Sequence, residues 1–227
     1  MTLAIYCEGD TEALALPRLV HYFQKSRLGS DPIKIKILNV KGVGNYVRAI
    51  GSNVQIRLDQ GDWFVFGLLD FYGIGIPLPK LSATVDNPIE ARLKHLEQVI
   101  VSRVAEPYRK KFKQHFAVHE VEAWIFADER ALSKQLAGAR VPSEAHPEEL
   151  NTGNHPAKRL ASLYSKHGQT YIKSVDGPLL LKAGEPELIY DKCPHFRLFI
   201  DDVLEACNRD ARAAGKKTKG AGKRGQV

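Results

Sequence analysis

Residues 7–13 read Cys-Glu-Gly-Asp-Thr-Glu-Ala and bracket a glycine with two glutamates four positions apart, Glu8 and Glu12. A third acid, Asp70, ends the apolar run 63–70, and two more, Glu120 and Glu122, interrupt the otherwise apolar stretch HEVEAWIF. Carboxylates grouped in this way offer hard anionic oxygens, the ligands of Mg²⁺ or Mn²⁺ rather than of zinc. Charge set among buried apolar residues costs stability unless it is paired or binds metal. One of Glu120 and Glu122 can simply face solvent; both together are harder to read as decoration. HEVEA is not HExxH, which excludes the zinc-protease helix.

Those acids need elements that bring them together. Residues 3–6 form a short continuous apolar run, the pattern of a strand buried on both faces. Apolar residues at three- and four-residue spacing then predict a helix over 12–22, alternation predicts a strand over 33–40, and 45–58 reads as a helix interrupted by Gly51. The aromatic-rich run 63–70 is the strongest strand, 88–105 reads as a helix with Pro88 in its first turn, and 116–132 as a short strand running into a helix. Helices are again predicted around 156–166 and 195–214. Alternating strands and helices imply an α/β fold with a mostly parallel sheet flanked by helices. In such a sheet, ligands sit beyond the carboxyl ends of the strands. Glu8 after the first strand and Asp70 after the third therefore share one crevice. Gly9 permits the sharp turn, and Glu12 falls in the first helical turn, where the helix dipole favours its ionised form. Glu12 is thus either a ligand or a plain helix-dipole acid.

The chain's 227 residues are enough for a substantial core. Its net charge of +7 is concentrated at one end: residues 209–227 hold seven basic side chains against Asp210, leaving about +1 for the rest. That Gly- and Lys-rich end predicts a disordered tail, which either adds salt-sensitive attraction to a polyanion or only aids solubility. The remainder, 1–208, reads as a single domain with a helical part from about 133. Three dispersed cysteines and no long apolar run point to a cytoplasmic protein without a membrane span. GVGNYV, at 42–47, lacks the third glycine of a dinucleotide loop, and neither GxxxxGK nor GxSxG occurs. Cys7 reads as core rather than nucleophile.

An EG-x-T-E corner after the first strand and an acid after the third resemble the Toprim domain, the metal-binding fold of topoisomerases, primases and overcoming-lysogenization-defect (OLD) nucleases. CEGDTEALALPRL, LLDFYGIGIP, HEVEAWIFAD, HPAKRL and CPHFRLF, in that order, are similar to a Toprim-like family of bacterial proteins of unknown function, over residues 1–207. Relatives include the nuclease subunit of the PARIS anti-phage system. The resemblance implies a Toprim-like (Rossmann-like) sheet with a C-terminal helical extension, a metal-dependent nuclease activity, nucleic acid as substrate and an AAA or ABC-type ATPase as partner. It gives Glu8 the role of the Toprim glutamate, with Glu12 completing the ExxxE pair, and makes Asp70 the first acid of the DxD motif. Position 72 departs from that motif: Tyr72 carries a phenol of pKa about 10, a poor magnesium ligand. Either Glu120 and Glu122 supply the missing oxygens or one metal binds. In the same frame Lys158 joins Glu8 and Asp70 in catalysis, with Lys158 and Arg159 holding a phosphate, against the alternative of a solvated helix face; His195 serves the site or packing.

Two functions fit these residues. One is a Mg²⁺- or Mn²⁺-dependent nuclease acting on DNA or RNA in anti-phage defence. The other is a non-catalytic Toprim-like module that binds an ATPase or nucleic acid, having lost turnover with the second DxD acid. A phosphohydrolase acting on nucleotides is a third.

Overall fold

In the sheet, successive side chains of each strand enter two different cores. From the strand Thr2–Cys7 (β1), Leu3, Ile5 and Cys7 enter one core while Ala4 and Tyr6 enter the other. From Phe64–Asp70 (β3), Phe66 and Leu68 join the first, Val65 and Leu69 the second. A strand covered on both faces has no polar side, which is why both read as unbroken apolar runs.

The computed structural model describes residues 2–29, 33–82, 84–150 and 154–221, with side chains through 209. Lys34–Asn39 (β2) and Phe112–Ala117 (β4) complete a four-stranded sheet of order β2-β1-β3-β4. Every pairing is parallel, with Cys7 opposite Leu68 and Asp70 opposite Ala117. The ends of β1, β3 and β4 therefore lie side by side.

The helices Asp10–Leu28 (α1), Val43–Asp59 (α2) and Pro88–Ser102 (α3) are followed by Glu106–Arg109 (α4), a 3₁₀ segment Val121–Ala127, and Glu129–Gln135 (α5). Beyond a 3₁₀ turn at Pro147–Glu149 come Pro156–Lys166 (α6), Lys173–Ala183 (α7), Pro186–Lys192 (α8) and Pro194–Ala221 (α9). Buried side chains of α1 and α9 line the first core, and those of α2 and α3 the second. The expected α/β architecture with a C-terminal helical part is thus observed. Among the described residues no helix is long and apolar enough to cross a membrane.

Helices α7 and α8 lie outside the predicted elements, and four other features differ from expectation. Gly51 does not interrupt α2: a Cβ there would collide with the Arg103 carbonyl, so the glycine lets α2 and the end of α3 approach closely. β4 lies at Phe112–Ala117, earlier than predicted, because the inward Gln114 breaks the apolar alternation; it is buried by accepting a 2.5 Å hydrogen bond from the Tyr46 hydroxyl. The segment after β4 is 3₁₀ rather than α-helical. Helix α9 runs on to Ala221, into the segment expected to lack structure, over a stretch rich in Ala, Lys and Arg. Residues 222–227 of that expected tail lie outside the described residues.

Gly67, in the middle of β3, is a point of close packing in the sheet. A Cβ would run into both the Tyr46 hydroxyl and the Gln114 side chain. Gly67→Ala is expected to destabilise by about 3 kcal/mol, lowering Tm by roughly 6 to 12 °C in a thermal melt.

Candidate metal centre

Three parallel strands deliver acids to one end of the sheet. Glu8 follows β1, Asp70 is the last residue of β3, and Glu120 and Glu122 stand just beyond β4 at the entry to the 3₁₀ segment. Asp70, Glu120 and Glu122 each offer one carboxylate oxygen, all within 4.8 Å of one another. Glu122 is fully buried, Asp70 and Glu12 nearly so.

Backbone donors fix the orientation of two acids. Asp70 Oδ1 accepts from the Val121 amide at 2.9 Å, and Glu120 Oε2 from the Ala157 amide in the first turn of α6 at 3.0 Å. Glu12 leans back over the β1–α1 corner, where a Cβ on Gly9 would sit 2.9 Å from its Oε2. That oxygen is buried with no hydrogen-bond partner among the described residues.

Crowding and burial show in the titration of the group. Burial, then the carboxylate of Glu8, lifts Glu12 to about 7. Burial, with Glu12 next, holds Asp70 well above the usual carboxylate range. Glu8 and Glu122 are also raised, chiefly by burial, with Lys173 opposing the shift in both.

Lys173 is the counter-charge, and no motif marks it. Its ammonium lies 3.0 Å from Glu122, 3.5 Å from Asp70 and 4.0 Å from Glu120. Burial lowers its pKa, but those acids outweigh it and the net shift is upward. Helix α7 carries it there by packing on α1. The Thr11 hydroxyl donates to the Lys173 carbonyl at 3.2 Å, and Gly177 brings α7 so close that a Cβ would lie 3.0 Å from the Thr11 methyl. Gly177-Pro178 reads as a helix breaker, which conceals α7 in the sequence.

Other expected residues lie apart from this cluster. Lys158 is exposed on α6 and forms no ion pair with the acids. Arg159 pairs with Glu144 at 2.7 Å and covers the Phe126 ring, a packing role. His195 caps architecture rather than chemistry: its amide donates to buried Glu148 and its Nε2 lies 3.0 Å from Glu90. Cys7 is fully buried and its thiol is pushed up by burial, then by Glu12, as befits a core residue. Tyr72 is about half exposed, stacks on His155 and adds no carboxylate oxygen to the acid group.

A divalent cation fits these donors. The oxygens are hard, they converge, one is buried without a partner, and an ammonium already occupies their focus as a stand-in cation. Lys173→Met is therefore expected to destabilise the metal-free protein by about 1–2 kcal/mol, a value reduced because the lysine is 45% exposed. Added Mg²⁺ or Mn²⁺ should recover more stability in this variant than in the wild type, read as the rise in Tm over chelator.

No curated protein sequence matches the chain. Among solved structures it is similar to the C-terminal region of the Burkholderia pseudomallei OLD protein, at 15% identity and a TM-score of 0.41, covering 89% of this chain and 98% of that one. It is similar also to the C-terminal region of the Xanthomonas campestris pv. campestris OLD protein, at 18% identity and a TM-score of 0.43, covering 96% of each. The model of the family described as a domain of unknown function, DUF4276, matches residues 7–204, and the chain belongs to that family.

Proposed function

We propose that this protein is a Toprim-type nuclease that hydrolyses phosphodiester bonds in DNA or RNA with Mg²⁺ or Mn²⁺. The observation that carries the reading is the convergence of Asp70, Glu120 and Glu122 within 4.8 Å, with Glu8 and Glu12 beside them. These five acids would hold the metal. Bound there, it would supply an activated water and neutralise charge on the phosphate.

The chain's own groups do the rest. Asp70 and Glu120 are pre-oriented by the Val121 and Ala157 amides, so little reorganisation precedes binding. Lys173 reaches the acids while 45% exposed, so the same ammonium meets a non-bridging phosphate oxygen from the solvent side. Lys158, exposed on the preceding helix α6, adds a second cation for the polymer backbone. Water attacks phosphorus and gives up a proton, the P–O bond to the leaving oxygen breaks with its electron pair on that oxygen, and the leaving oxygen takes up a proton in turn. The resemblance in sequence motifs adds an ATPase partner and a role in defence against phage to this proposal.

Tyr72 in place of the second DxD acid favours the competing reading, a binding module without turnover. Purified protein incubated with plasmid DNA, single-stranded DNA and total tRNA separates the two. Cleavage with Mg²⁺ or Mn²⁺ that stops in chelator is the expected result. Inert protein with every polymer, alone and with a co-purified ATPase, would leave the module.

A further inference from the structure

We propose that Tyr72 and His155 form a stacking platform for an unpaired nucleobase, and that the site therefore takes single-stranded rather than duplex nucleic acid. This deepens the nuclease reading and rests on it for the position of the phosphate.

Tyr72 is a large aromatic residue left 52% exposed two positions after Asp70. Its ring stacks on that of His155 with centroids 3.7 Å apart and planes tilted by 36°, so His155 backs the ring while about half of the residue remains exposed. The ring is not on a free loop. The Phe71 amide donates to the Ala117 carbonyl and the Tyr72 amide to the His119 carbonyl, each at 2.9 Å, extending the β3–β4 ladder past Asp70. Only then does the chain turn away, through Gly73 and Gly75 at φ of 80° and 66°.

Both rings are tied to the acids. Tyr72 is held by the residue before Glu120, and His155 precedes the α6 turn whose Ala157 amide holds Glu120. A base resting on Tyr72 thus lies beside the carboxylates that would act on a neighbouring phosphate. The loop after Tyr72 also lines, through Ile74, Gly75, Ile76 and Pro77, a groove of about 690 Å³. Its lining is mostly apolar, and its charged members are Arg48 and Arg103, with His95 and no carboxylate, so a phosphate passing along it would meet positive charge and no negative charge.

Stacking on a fixed aromatic ring is tolerant of base identity, because every base has a π-face. In a duplex that face is already covered, and reaching the ring requires unpairing. Rigid placement removes the ordering cost that a mobile side chain would incur.

The test is fluorescence anisotropy with labelled 12-nucleotide DNA and RNA single strands and the matching duplexes, in Ca²⁺ and in chelator. It compares wild type, Tyr72→Phe, Tyr72→Ala and Asp70→Asn. The expected result is single-strand binding unchanged in Tyr72→Phe and about 5- to 100-fold weaker in Tyr72→Ala, with duplex binding unaffected. Melting of Tyr72→Ala close to wild type would show that the loss is not unfolding. Equal binding by Tyr72→Ala and wild type, equal losses for single strand and duplex, or no binding by wild type would each overturn the platform. Failure of the nuclease reading looks different: Tyr72-dependent binding, kept in Asp70→Asn, by a protein that cleaves nothing in Mg²⁺ or Mn²⁺.

Discussion

Asp70→Asn is expected to lower metal-dependent cleavage by more than about 100-fold while leaving the fold intact. Residues that merely support metal ligands change affinity or activity by roughly 10- to 100-fold, and a direct ligand should exceed that. The asparagine keeps the shape and the oxygen that accepts from Val121, so the 3₁₀ segment stays anchored. What it removes is one negative charge opposite Lys173 and beside Glu122. In chelator the variant should melt no lower than wild type, since it relieves repulsion in a buried acidic group. Initial cleavage rates and melting curves on the same preparations check both halves. Loss of cleavage together with loss of folding would assign Asp70 to the core instead.

The second large effect is on stability against pH. Glu12 titrates near 4.5 in the unfolded chain and at about 7 in the folded one. Between those values the folded state binds more protons, so stability falls as pH rises and is lost through the folded value. Asp70, Glu8 and Glu122 are shifted in the same direction. Metal-free protein should thus be more stable at pH 5 than at pH 8, the reverse of an ordinary salt-bridged carboxylate. Glu12→Gln should raise stability at pH 8 by on the order of 2 kcal/mol, or about 4 to 8 °C in Tm, with little change at pH 5. Saturating Mg²⁺ or Mn²⁺ should flatten or invert the wild-type dependence, because metal and protons compete for the same oxygens. Melts at both pH values, with metal and with chelator, give the comparison directly.

Much of this arrangement is legible in the residues. β1 and β3 are buried on both faces, so each is an apolar run, and an acid after such a run marks the end of the sheet where ligands gather. Glu120 and Glu122 stand out for the same reason, as charges in apolar surroundings. Lys173 does not, because its position depends on α7 folding back onto α1 across some 160 residues of chain, through Thr11 and Gly177. Lys158 looks equivalent in the sequence and is brought only to the surface. β4 is hidden by Gln114, whose buried amide oxygen accepts from Tyr46 on a distant helix while its nitrogen donates to the neighbouring His115 carbonyl. Tyr72 is conspicuous as a missing acid, while its pairing with His155 depends on a contact between segments more than eighty residues apart.

The most direct measurement is anomalous diffraction from crystals of the protein soaked in Mn²⁺. The expected result is an anomalous peak bounded by the carboxylates of Asp70, Glu120 and Glu122, with the Lys173 ammonium moved from its place among them. A peak elsewhere, or none at saturating Mn²⁺ with Lys173 still bridging Asp70 and Glu122, would contradict it.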